Sequence, residues 1–282
     1  MDADKNILLK LDTNIADYQT FFEPKWLRLM NELTDGTKLA EPVLSLGVSW
    51  FTTANAYAMP WRMVQNLIGF EVGFIRGERT YTDKILARLA TLIPQRMDGL
   101  SNMKRQQLAD VIKTIGAEYD QQVKSQHLPT DAQALFESLL TGFSGVELQT
   151  SIVGSQKLCY NGLYYAYEEF LRACVGLGKG ESDYRVFGFK KLEKDAKELF
   201  GDAVTDHCLS HDLVRIARFA RNTLAHNGGK LTDELKALTH DFPVDHENAI
   251  HVVANHNRNL YSALKGRAYK IAEAAHKLPQ CR

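Results

Sequence analysis

Helical periodicity is the feature of this sequence that most restricts its fold. Apolar residues recur three and four positions apart along nearly the whole chain of 282 residues, and the alternation typical of strands is rare. Prolines, which interrupt helices, number only seven. We therefore predict an all-α protein.

A break in the periodicity predicts two domains. Two glycines and a serine interrupt it between Thr141 and Gly145. A chain of this length is long enough for two domains with cores of their own. We predict a separate helical region over residues 1–145 and a second domain over residues 146–282. The candidate helices of the first region are 12–33, 43–57, 61–77, 82–96, 101–125 and 131–143.

The second half contains four candidate helices joined by short connections. They cover about 149–175, 188–200, 211–227 and 245–277. The first of them carries one apolar stripe, formed by Leu163, Tyr167, Phe170, Leu171 and Cys174. Ser210 is the predicted N-cap of the third. Four such helices predict an up-down bundle.

Charge and cysteine content exclude several classes of protein. The 34 basic and 34 acidic residues balance, so any affinity for a polyanion must be local. The four cysteines form no Cys-x-x-Cys pair, which argues against a zinc site and a disulfide framework.

No apolar leader and no run of about 18 apolar residues is present. We expect a cytoplasmic protein with no membrane span, no metal and no cofactor.

Residues 221–226, Arg-Asn-Thr-Leu-Ala-His, are the one segment whose reactive side chains are spaced for chemistry. An arginine binds phosphate and an imidazole transfers protons near neutral pH. Gly228 and Gly229 follow, and glycine commonly terminates a helix. His226 is therefore predicted in the last turn of the third helix.

A helical wheel at about 100° per residue gives this helix a core face and an outer face. The predicted core stripe is Leu213, Ile216, Ala217, Ala220 and Leu224. Asn222 and His226 lie on the opposite side, one turn apart. Arg215 and Arg218 lie beside them, and Arg221 lies on the shoulder between the two faces. The outer face is thus predicted to be electropositive and to meet something outside its own bundle.

The hexapeptide resembles the motif of the HEPN superfamily: arginine, a polar residue that is often asparagine or histidine, three further residues, then histidine. The resemblance covers residues 146–282 and implies a small all-α bundle. Many members are metal-independent endoribonucleases of toxin–antitoxin, abortive-infection and CRISPR defence systems. They act as dimers in which two motifs form one composite site. In one subset a modified tyrosine lies two residues after the histidine; here that position is Gly228, so regulation by that route is not expected.

The resemblance implies an endoribonuclease with Arg221, Asn222 and His226 as catalytic residues, whose partners would be RNA and a second copy of the chain. From their place on the wheel, we predict Arg215 and Arg218 as further substrate-binding residues. The resemblance leaves residues 1–145 unexplained, and we expect them to sense a signal, inhibit the site or bind a regulatory protein. One alternative is a non-catalytic HEPN-like module that binds RNA or protein. Others are a helical scaffold without activity and a solvated helix face that ends in an ordinary histidine.

Eight of the nine histidines lie between residues 207 and 276, which raises the question of a metal site. Residues 246, 251 and 256 are five apart and therefore point in different directions around a helix. His207 and His211 are four apart but lack an assured third ligand. We predict that His256 is a core histidine and that Glu168 and Glu169 belong to a solvated face.

Overall fold

The computed structural model describes residues 14–96, 101–124, 131–142, 145–181, 183–184 and 188–282. This part of the chain is all-α, as predicted: it contains two isolated β-bridges and no strand. Short 3-10 turns cover Ile15–Tyr18 and Pro279–Cys281. The helices are α1 (Pro24–Thr34), α2 (Ala40–Tyr57), α3 (Met59–Arg96), α4 (Asn102–Lys124), α5 (Ala132–Thr141), α6 (Gly145–Lys179), α7 (Phe189–Phe200), α8 (Asp202–Thr205, continued by a π turn over Asp206–Ser210), α9 (Asp212–His226), α10 (Asp233–Lys236) and α11 (Ala254–His276).

The chain forms two compact units. One combines Met1–Pro60 with Ser144–Arg282, and the other is Trp61–Phe143. The break before Ser144 lies beside the predicted boundary at residue 145. The break after Pro60 has no counterpart in the prediction, because the first two long helices, α1 and α2, belong to the same unit as the C-terminal half. In the unit 61–143, the predicted segments 61–77 and 82–96 lie on a single helix, α3.

Helix α6 is the centre of the larger unit. It packs most extensively against α2 and α11, and it also contacts α7 and α9. Its predicted apolar stripe is buried, as are Tyr164 and Val175 on neighbouring rows. A helix that is apolar over so much of its circumference must pack against several neighbouring helices. One of these neighbours, α2, comes from the N-terminal part of the chain and not from the C-terminal half.

Trp50 of α2 fixes the contact between α2 and α6. Its side chain is fully buried, and its indole nitrogen donates a hydrogen bond to the Leu163 carbonyl at 3.0 Å. Its ring lies 5.0 Å from that of Trp26 and 5.3 Å from that of Tyr261. Trp26 and Trp50 are thus core residues shared with α11 and α6.

Candidate functional site

Helix α9 carries the hexapeptide in its last turns. Its N-cap is His211, whose Nδ1 accepts a hydrogen bond from the Leu213 amide at 3.2 Å. The predicted cap, Ser210, instead donates its hydroxyl to Glu193 of α7. At the other end the Thr223 carbonyl accepts from the amides of residues 227 and 229. Gly228 and Gly229 have φ values of 61° and 88°, so the chain leaves the helix immediately after His226.

Arg221 is held between two helices. One guanidinium nitrogen lies 2.9 Å from Glu168 Oε2 on α6, and the other donates to Asn222 Oδ1 at 2.9 Å. Only 21% of the Arg221 side chain is exposed. The wheel placed this arginine on the shoulder of the helix, and the structure shows that the shoulder faces α6.

Glu168 is a residue of this site that was not predicted from the sequence. Its side chain is 11% exposed, and its second oxygen lies 2.6 Å from Arg172 Nη2, one turn further along α6. The prediction of a solvated face is therefore wrong for Glu168, although Glu169 is exposed. Two signals were present in the sequence. Glu168 falls on a row with Tyr164, Leu171 and Val175, which are apolar and buried, and an arginine follows it at i+4.

Asn222 and His226 differ in their surroundings. Asn222 is half-buried and accepts from Arg221, whereas His226 is exposed in the last helical turn. The side chains of Arg221 and His226 diverge by about 140° around the helix axis, because they are five residues apart. The structure thus brings together Arg221, Asn222 and Glu168, and the described contacts of Arg221 do not include His226.

The two further arginines of α9 are also engaged. Arg215 is half-buried and pairs with Asp212 at 3.0 Å, so its charge is partly offset. The Arg218 guanidinium lies 3.8 Å from the ring centroid of Phe189 at the start of α7, in a cation–π contact. Burial lowers the pKa of Arg218. The predicted outer face implied that both side chains extend freely into solvent. In the structure, each of them is instead held by a neighbouring side chain.

Buried positions of α9 recur every three residues: Val214, Ala217, Ala220 and Thr223. The predicted core stripe shares only the two alanines with this row. Leu213 is 49% exposed, and Ile216 and Leu224 are half-buried. This row of buried residues runs obliquely to the axis of α9, because α9 packs against both α6 and α11.

Tyr164 adds a buried hydroxyl to this interface. Its side chain is fully buried one turn before Glu168, and its oxygen has no hydrogen-bond partner among the described residues. Burial raises the pKa of the phenol, as does the charge of Glu168, while Arg218 and Arg221 act in the opposite direction. The net increase keeps the hydroxyl protonated, so it can donate to an acceptor but cannot act as a base at neutral pH.

The histidines that the structure describes do not gather into one cluster. The rings of His207 and His211 are 6.4 Å apart, and His251 Nε2 lies 2.9 Å from Asp245 Oδ2. His256 is 7% exposed, as expected of a core histidine: its Nδ1 accepts from the Val253 amide at 3.0 Å. Within the described ranges, no group of three or more His, Cys, Asp or Glu side chains is arranged to hold a metal ion.

None of the described helices is long and apolar enough to cross a membrane. No family model matches this chain, and no curated protein or solved structure is significantly similar to it.

Proposed function

We propose that this protein is a metal-independent endoribonuclease of the HEPN type. The observation that carries the proposal is the fixed position of Arg221, on a helix whose last turn presents an exposed histidine. A guanidinium held by two acceptors loses little rotamer freedom when it binds a phosphate. The resemblance of residues 221–226 to the HEPN motif supplies the reaction class.

The proposed reaction is attack of a ribose 2′-oxygen on the adjacent phosphorus. The 2′-oxygen–phosphorus bond forms while the bond from phosphorus to the 5′-oxygen breaks. His226 accepts the 2′-hydroxyl proton, or donates a proton to the departing 5′-oxygen, and Arg221 offsets the charge that develops on the phosphate. Asn222 positions the phosphate through its amide nitrogen, since its oxygen already accepts from Arg221. The products carry 2′,3′-cyclic phosphate and 5′-hydroxyl ends.

A second copy of the chain is part of the proposal. Because Arg221 and His226 diverge around α9, a single protomer presents them in different directions. Two α9 helices that face each other across a two-fold axis would bring the two motifs together around one scissile phosphate. Cleavage then depends on dimer concentration. A variant that remains monomeric and cuts RNA at the full rate would contradict this part of the proposal.

The cellular role we propose is that of a toxin or an antiphage effector acting by abortive infection. It rests on the resemblance alone. Within this scheme the compact unit 61–143 is the candidate for the regulatory role first assigned to residues 1–145. It is separate from the unit that carries α9, whereas α1 and α2 are part of that unit's core.

A non-catalytic RNA- or protein-binding module is the second candidate function. The contact that favours it is the ion pair between Arg221 and Glu168, at 2.9 Å. An arginine neutralised by a carboxylate serves to join two helices and is less available to a phosphate. In that case Arg221 is a structural residue, and His226 is an ordinary exposed histidine.

Cleavage of total RNA by the purified protein in excess chelator tests the proposal. His226→Ala is expected to lower the rate by about 100- to 10,000-fold. His246→Ala is the matched control, since His246 is exposed in the loop beyond α9, and it is expected to retain the wild-type rate. Cleavage that stops in chelator, or that is unimpaired in His226→Ala, rejects the mechanism. RNA binding without cleavage supports the second candidate.

A further inference from the structure

Helices α3 and α4 of the unit 61–143 form an antiparallel hairpin. Residues 97–101 connect the two helices, and Leu86 of α3 packs against Gly116 of α4. The approach is so close that the Leu86 side chain leaves no room for a Cβ at residue 116. Gly116 is buried in this contact, which fixes the residues of the two helices that lie at the same level.

Each helix of the hairpin carries an exposed row of apolar side chains. The two rows occupy equivalent positions, which are five and one before the packed residue and three after it. Isolated exposed apolar residues are common on protein surfaces, whereas six at helical spacing mark a surface that a partner covers. The six are between 40% and 69% exposed: Tyr81, Ile85 and Leu89 on α3, and Val111, Ile115 and Tyr119 on α4.

The two rows lie on the same face of the hairpin. At about 100° per residue, each row is centred about 100° from its packed residue, Leu86 or Gly116, and in the same sense around its own helix. Because the two helices are antiparallel, equal rotations turn both rows toward the same side. The six side chains therefore form one continuous surface, the apolar face of the hairpin.

The apolar face is large enough to be one half of a dimer interface. Its exposed fractions correspond to roughly 700 Å² of accessible surface per chain, which approaches the ~800 Å² that each partner of a standard interface buries. The largest apolar patch on a typical monomer is only about 300–600 Å². A second copy of the chain supplies an equal apolar area.

The two outer borders of the apolar face carry opposite charges. Arg88 lies two residues after Leu86 on α3, and Glu118 lies at the equivalent position on α4. Both side chains are exposed, and neither forms an ion pair with another described residue. If α3 of one copy lay on α3 of the other, the two arginines would share one border and repel each other. With α3 lying on α4, each arginine shares a border with the glutamate of the other copy.

We propose that the apolar face pairs with the same face of a second copy of this chain. The two hairpins form an antiparallel four-helix bundle in which α3 of each chain lies against α4 of the other. This contact goes beyond the pairing of α9 helices proposed for RNA cleavage, and it involves neither Arg221 nor His226. It therefore forms whether or not the protein cleaves RNA.

Sedimentation equilibrium of the purified protein tests the proposal. A dimer with a dissociation constant in the micromolar range or below is expected. Ile115→Asp places a charge on the apolar face and is expected to weaken association by about tenfold or more. Met103→Asp is the matched control and is expected to associate as the wild type does. Met103 is 68% exposed on the same helix, but it lies about 120° around the helix from the apolar face.

A charge exchange tests the arrangement without altering the apolar side chains. Arg88→Glu and Glu118→Arg each place like charges on one border, and each is expected to raise the dissociation constant by about threefold or more. The double variant is expected to associate as the wild type does. A protein that stays monomeric at about 100 μM overturns the proposal. So does undiminished association of Ile115→Asp, an equal loss in Met103→Asp, or a double variant that associates no better than the single variants.

Discussion

Arg221 and Glu168 join α9 to α6 through a contact of 2.9 Å, in which the carboxylate simultaneously binds Arg172. A carboxylate that is 11% exposed between two guanidiniums offsets one of their two positive charges, and its removal leaves both guanidiniums without this shared partner. This small network stabilises the interface and orients the arginine of the hexapeptide at the same time.

Glu168→Gln is expected to lower the free energy of unfolding by about 1–3 kcal/mol, because Arg221 and Arg172 lose their shared charged partner. Glu169→Gln is the matched control. That carboxylate is 53% exposed and lies 3.7 Å from Arg172, so its loss should cost no more than about 0.5 kcal/mol. Urea denaturation of both variants measures the difference. Equal stabilities would show that the Glu168 network contributes little.

Trp50→Ala is expected to destabilise the protein by about 3–5 kcal/mol, because it opens a cavity at the contact of α2 with α6 and removes the hydrogen bond to Leu163. Phe51→Ala, at the next position, changes a ring that is 52% exposed and should cost less than about 1.5 kcal/mol. Thermal or urea unfolding of both variants measures their loss of stability relative to the wild type. Similar small losses in both variants would mean that α2 is not integral to the core around α6.

Asp195 of α7 gives a pH-dependent prediction. Burial alone would raise its pKa, but hydrogen bonds from Tyr184, Lys191 and Lys179 outweigh burial and lower the pKa from 3.8 to about 2. A lowered folded-state pKa contributes stability above the unfolded-state value and loses it as the pH falls toward 2. Asp195→Asn is expected to cost about 1–2 kcal/mol at pH 7, a difference that should disappear between pH 4 and pH 2.

The measurement for Asp195 is urea denaturation across that pH range. Glu198→Gln serves as the control, since Glu198 is exposed on the same helix and its contact with Lys194 is 4.0 Å. A stability difference between the wild type and Asp195→Asn that stays constant from pH 7 to pH 2 would contradict the assignment.

The cysteines are predicted to be unreactive in the folded protein. All four are buried, and burial raises the pKa of each thiol, to about 12 for Cys208. Since the thiolate is the reactive form, a disulfide reagent at pH 8 should modify fewer than one thiol per native chain and all four in denaturant. If one thiol reacts first, it should be Cys281 in the last turn. Rapid native labelling of the other three would disprove their burial.

The sequence predicted best where periodicity was strong. The stripe of α6 is buried as expected, and the helix predicted over 188–200 is α7, Phe189–Phe200. These elements follow from side-chain spacing alone, because a single face must be buried whatever its neighbours are. The packing of α1 and α2 onto α6 and α11 could not be predicted in this way, since it depends on contacts across more than a hundred residues.

The start of α11 shows how local chemistry overrides a helical signal. The prediction placed it near Asp245, but the helix begins at Ala254. Asp245 Oδ1 accepts from the amides of Glu247 and Ala249, and this local turn competes with helix formation. Asn248, with φ of 60°, completes the turn. The helix then begins where His256 accepts from the Val253 amide.

The candidate site was predicted in part. The hexapeptide and the position of His226 at the helix end follow from residue types and from the glycines after them. The partner of Arg221 does not, because it lies 53 residues away and depends on the rotation of α9 against α6. A helical wheel centred on Leu213 assumes that the helix packs against a single neighbouring helix. In the structure α9 packs against two helices, and its row of buried residues runs obliquely to the helix axis.

The division of the larger unit into two stretches of sequence has a consequence for synthesis. Trp50 leaves the ribosome 113 residues before Leu163, the residue that accepts its hydrogen bond. At roughly 5–20 residues per second, the nascent chain carries the unsatisfied apolar face of α2 for about 5–20 s. Residues 61–143 are complete in that interval. The middle of the chain can therefore fold before the segment that precedes it, and the N-terminal helices are the part that a chaperone would meet first.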